Sequence, residues 1–209
     1  MPGLGVGSYS FLGDRVDIVQ TITNVTPFDW AVVGLVVVMF VLGYAQGVVR
    51  RLLGIAAVLF SFLLAANLRD ALGAFLAGNW TQFPKEYSYM LAFGFLFVVF
   101  MVISTIIIQA TYKPAPIFPK YPVVDEILGG LLGIVQALLI VGAGIAILDS
   151  FFRLSVAIGN NQVEFFKNLY GAVNESQSVT VFRDTLIPLF VALLGPLLPS
   201  DIRALFPRT

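Results

Sequence analysis

The chain has 209 residues, of which 58% are hydrophobic and only 11% charged, with a mean hydropathy of +0.93. Soluble domains carry about 25% charged residues and disordered chains are poor in apolar ones, so both classes are excluded in favour of an integral membrane protein. Twelve basic and twelve acidic residues cancel. There is no basic block to neutralise phosphates, and nucleic acid is excluded as a partner. The absence of Cys and His excludes disulfides, thiol nucleophiles, Cys/His zinc sites and imidazole acid–base chemistry.

The first 28 residues lack the basic start of a signal peptide and open Gly-rich, which predicts a surface extension. Four apolar stretches follow, at 30–49, 52–67, 87–110 and 127–148. A bilayer core needs roughly 20 apolar residues per helix. The second stretch reaches that length if Arg51 and Arg69 snorkel at its ends. The runs are continuous rather than alternating, so helices are predicted, not barrel strands. The short link through Arg50 and Arg51 reads as a helical hairpin. Trp30, Trp80, Tyr87 and Tyr112 mark headgroup levels. Four prolines in 113–122 exclude a helix there. The paired arginines of the shortest loop place that loop in the cytoplasm and both termini outside.

After Asp149 the character changes. Residues 151–170 mix aromatic, aliphatic and charged side chains and suit an amphipathic helix on the membrane or on its neighbours. Residues 180–198 are apolar but carry Pro188 and Pro196, which predicts an interfacial or re-entrant helix rather than a fifth span. The expected fold is all-α: four transmembrane helices at 29–149, with amphipathic and proline-interrupted helices at 150–209.

Gly43 with Gly47, and Gly129 with Gly133, are spaced to form small-residue faces. They predict packing of the first helix on the fourth, or an interface with another subunit. Gln46 and Gln136 stand within apolar helices, and each amide needs a partner in hydrocarbon, which predicts that both face the bundle interior. No ionisable residue stands near the middle of a span, which argues against a proton-coupled carrier. Asp29, Arg50, Arg51, Asp125 and Asp149 stand at helix ends, where capping or anchoring is expected. No nucleophile elbow, phosphate loop, metal-ligand cluster or cofactor motif appears. Adjacent Asp125 and Glu126 diverge by about 100° on a helix and make a poor catalytic dyad.

Residues 29–64, DWAVVGLVVVMFVLGYAQGVVRRLLGIAAVLFSFLL, and 125–149, DEILGGLLGIVQALLIVGAGIAILD, resemble the colicin V production protein family. Asp29, Gly43, Gly47 and Arg50 match the family's first pattern, Asp125, Gly129 and Gly133 its second, and Asp149 an acid common at the end of the fourth helix. The resemblance covers about 28–149. It departs at Gln46 and Gln136, where basic residues are common in the family. It implies a bacterial inner-membrane protein associated with colicin V export and no settled biochemical activity. The resulting expectation is a non-enzymatic scaffold or accessory subunit, without cofactor, whose partners are the bilayer and other membrane subunits or copies of itself. The alternative is a component of a secretion or transport path, as an oligomeric channel or export helper.

Overall fold

The computed structural model describes residues 25–80, 85–112, 122–152 and 164–199. Most of the predicted N-terminal extension, the proline-rich loop up to 121 and residues 153–163 of the predicted amphipathic stretch lie outside the described residues.

The first helix, α1 (Pro27–Gln46), starts at a capping box: Thr26 Oγ1 accepts the Asp29 N–H at 3.3 Å, and Asp29 Oδ2 accepts the Thr26 N–H at 2.8 Å. Pro27 takes the first helical position, where a missing N–H costs nothing. The helix ends at Gly47, which has φ +75°. Only glycine adopts that conformation cheaply, so the chain reverses there in one residue.

The next helix, α2 (Val48–Asn79), has 32 residues and is about 48 Å long at 1.5 Å per residue. It therefore extends well past the predicted 52–67. Asn67, Arg69 and Asp70 end the apolar run, but polarity does not break a helix, and no proline intervenes before Trp80. The remaining spans are α3 (Lys85–Thr111) and α4 (Pro122–Phe152). All four helices are long and apolar enough to cross a membrane.

α1 runs antiparallel to α4, with Met39 against Gly133 and Gly43 against Gly129. α2 runs parallel to α4 and antiparallel to α3, so Gly54 meets Gln136 while Gly73 meets Tyr89. The predicted hairpin is thus splayed: α1 leans on α4, and α2 leans on α3 and α4. The core between α2, α3 and α4 holds Val58, Phe62, Phe93, Phe97 and Ala143. Phe62 lies 5.4 Å from Phe93 and edge-on to Phe97 at 6.2 Å, distances at which aromatic pairs attract. α2 and α4 bury 39% of their most apolar windows and α1 and α3 only 17%, so the latter form the outer walls.

The described part of the tail is almost wholly helical: α5 (Glu164–Asn174), α6 (Gln177–Val181), a π-helical segment (Phe182–Leu186), α7 (Ile187–Leu194) and a 3-10 turn (Gly195–Leu197). Val179, Phe182 and Ile187 pack with Val32, Val141 and Ile145, and Leu194 and Leu198 join the main core. One face of the apolar stretch thus packs on the bundle, while Val181, Leu189 and Leu197 stay exposed. Pro188 does not end the helix. It has no N–H to give the Asp184 carbonyl, and the turn before it widens so that the Ile187 N–H reaches Phe182 O.

Candidate functional site: buried acids and an arginine-walled crevice

The four glycines of the predicted small-residue faces lie along one seam. A Cβ on Gly129 would stand 2.5 Å from Gly43 O and 2.9 Å from Gly47 Cα. A Cβ on Gly133 would strike the Met39 carbonyl. These backbones touch, and only glycine permits it. Gly130, beside them, receives the Phe40 ring.

Three aspartates are buried at helix ends, and each ties two parts of the chain together. Asp29 completes its own cap. Its Oδ1 also accepts the Ser176 hydroxyl at 2.5 Å and the Ser178 N–H at 3.1 Å, which holds the tail to α1. Asp125 lies in the first turn of α4, yet its Oδ2 accepts the Val48 N–H at 3.4 Å and so caps α2. Gly47 makes room for it, since a Cβ there would meet that same oxygen. Asp149, fully buried, takes a two-pronged bond from Arg183, with Nε to Oδ2 at 2.9 Å and Nη2 to Oδ1 at 2.5 Å. Burial opposes the Arg183 charge, but the bonds and charge of Asp149 outweigh it and raise the guanidinium pKa above its ordinary value. Asn174 Oδ1 accepts from Arg183 Nη1 at 2.6 Å, and the Tyr170 hydroxyl accepts from Nη2 at 3.4 Å.

Arg51 is placed differently from the predicted snorkelling anchor. It is 4% exposed, and Nη1 donates to Gln136 Oε1 at 2.8 Å and to Met39 Sδ at 3.6 Å. Its Nε is buried without a hydrogen-bond partner among the described residues. Arg69, at the other end, is also buried, 5.7 Å over the Phe93 ring and 3.4 Å from the Asp70 carboxylate. Gln136 faces the interior; its amide lies where a Cβ on Gly54 would stand, 2.9 Å away. Gly54 is about 10 Å along α2 from the Gly47 turn, so the Arg51–Gln136 contact is drawn inward from the helix end.

Because α1 packs on α4 and α3 on α2, a gap is left between α1 and α3 on the Gly47 side. It is a crevice of about 340 Å³, half open, walled by all four helices. Gln46, half-buried, lines it together with Arg50, Arg51, Gln109 and Gln136.

The colicin V production protein family model matches residues 28–186. The chain belongs to that family. It is a multi-pass, all-helical membrane protein. No curated protein and no solved structure matches it. The family match runs past Asp149, where the sequence resemblance ends, and takes in Ser176 and Arg183. The family unit therefore contains both tail residues that the buried aspartates hold.

Sequence reasoning did not single out Ser176, Arg183 or Gly54. Arg183 carried one signal: with Asp184 it is the charged pair in an otherwise apolar run. Ser176 stands where an N-cap signature would place it, and its hydroxyl accepts the Val179 N–H. Chemically, the three clasps offer no free acid–base pair. The crevice offers a cation and amides that can bind an anion.

Proposed function

We propose that the chain is a non-enzymatic scaffold or accessory subunit of a larger assembly in the bacterial inner membrane, with the Gly47 side in the cytoplasm and both termini outside. The observation that carries this reading is the commitment of Asp29, Asp125 and Asp149 to fixed contacts within the chain. A carrier needs packings that can exchange and ionisable groups free to change partner. Here backbone-to-backbone packing of α1 on α4 and the clasps at both ends favour one rigid body. The sparsely covered outer faces of α1 and α3 are available to neighbouring subunits. Arg50 and Arg51 beside the shortest turn support the orientation.

The test is gentle native extraction of the tagged full-length protein, followed by intact-assembly mass measurement. Stoichiometric foreign subunits are expected. A monomer without partners would reject the reading. A homo-oligomer alone would move the assignment to the transport reading, because a path through the membrane then requires the crevice to be completed by further copies.

A further inference from the structure

We propose that the crevice between α1 and α3 is a binding site for an anionic phospholipid, with the headgroup phosphate on Arg51 and an acyl chain along the crevice's apolar limb. The inference is independent of the accessory reading, since either can fail while the other stands.

The first observation is the state of Arg51. A guanidinium carries five N–H donors and cannot be neutralised inside a protein. This one is 4% exposed, and its protein partners are an amide oxygen and a thioether sulfur, both neutral. Among the described residues its Nε has no hydrogen-bond partner, and no carboxylate lies within ion-pair distance of either Arg50 or Arg51. A buried cation without a counter-charge is costly. The acids of the neighbouring elements are engaged elsewhere. Asp125 bonds the α2 N-terminus, Glu126 bonds Tyr44, Asp70 stands against Arg69 far along α2, and Asp29 is at the opposite end of α1. An anion from outside the chain supplies the missing charge, and a phosphate matches the guanidinium fork.

The second observation is the shape and polarity of the cavity beside it. Its polar wall, with Arg50, Gln46 and Gln109, lies toward the Gly47 turn and the C-terminal end of α3. Its apolar wall, with Met101, Val102 and Ile140, lies deeper. From Gln109 to Met101 is about 12 Å along α3. The polar-to-apolar gradient thus runs from the membrane surface inward, in the sense of a lipid in that leaflet. The crevice opens sideways between two helices that face hydrocarbon, so a lipid enters without crossing water. Free phosphate would fill the charged end and leave the apolar limb empty.

The full-length protein is tested in nanodiscs containing equal amounts of phosphatidylglycerol and phosphatidylcholine, with retained lipid counted by native mass spectrometry after release into detergent. About one phosphatidylglycerol per chain is expected, retained at least about tenfold over phosphatidylcholine. Arg51→Gln is expected to abolish the preference, and Arg51→Lys to keep part of it as a point charge. Ile106→Trp fills the crevice from an exposed position of α3 and is expected to displace the lipid with Arg51 intact, which covers the case in which Arg51→Gln fails to fold. Equal retention of both lipids, or a preference unchanged in a folded Arg51→Gln or Ile106→Trp protein, would overturn the proposal. So would inorganic phosphate at equal concentration displacing the lipid, since the acyl limb would then contribute nothing.

Discussion

Gly133→Leu is expected to prevent assembly of the bundle, with a loss above about 3 kcal/mol, the upper range for overpacked cores. The reason is the atom it meets. At Gly133 an added Cβ strikes the Met39 carbonyl and lies 2.8 Å from its carbon, and backbone cannot rotate away as a side-chain tip can. Relieving the collision moves α1 off α4, and Gly129 and Gly43 lose their contact with it. Gly34→Ala is the control. Nothing lies within 4 Å of its Cβ position, and alanine for glycine inside a helix gains about 0.5–1 kcal/mol. Thermal midpoints of the purified variants in one detergent decide the matter. Equal midpoints would show that the α1–α4 seam is not a backbone contact.

The second large effect is expected at the Asp149–Arg183 pair. Asp149 is fully buried and accepts both prongs of the guanidinium. Asp149→Leu leaves a partly buried cation without its acid, and Arg183→Met leaves a buried carboxylate without its cation. Removing one partner of a buried pair costs about 3–5 kcal/mol. The double variant is expected to recover most of the loss, because two apolar side chains need neither charge nor bond. Unfolding midpoints of the two single variants and the double variant measure the coupling. Strictly additive losses would mean that the two residues act separately.

Much of this architecture is legible in the sequence, and what is hidden has identifiable causes. The spans are visible because long apolar runs permit few other structures. The α1–α4 seam is visible as glycines four apart, since spacing on one helix fixes a shared face. The length of α2 is hidden because hydropathy reports where hydrocarbon ends, not where the helix does. The reach of Asp125 to α2 is hidden because, in the first turn, the dipole of its own helix already accounts for a carboxylate. Asp149 is the opposite case: it lies near the C-terminal end of α4, where the dipole opposes a carboxylate, so the sequence signals the need for a cation but not that Arg183 supplies it. Arg51 is hidden for a related reason. Two adjacent arginines in a short turn read as surface anchors, but successive residues on a helix point about 100° apart, and one of the two faces inward. The tail is legible only in part. Its apolar residues suit a membrane surface as well as a bundle surface, and which of them pack inward is a tertiary matter: Phe182 and Ile187 lie beside Val32 and Ile145, while Val181 and Leu189 stay exposed.

The tail and the four spans form one clasped body, held by Asp29 and Asp149. Amide hydrogen exchange of the full-length protein in nanodiscs, compared with Asp29→Ala, measures that clasp. Slow exchange is expected across 176–187 in the parent chain, faster by about tenfold or more in the variant, with α3 unchanged in both. Exchange of 176–187 in the parent chain at the rate of an unprotected segment would contradict it.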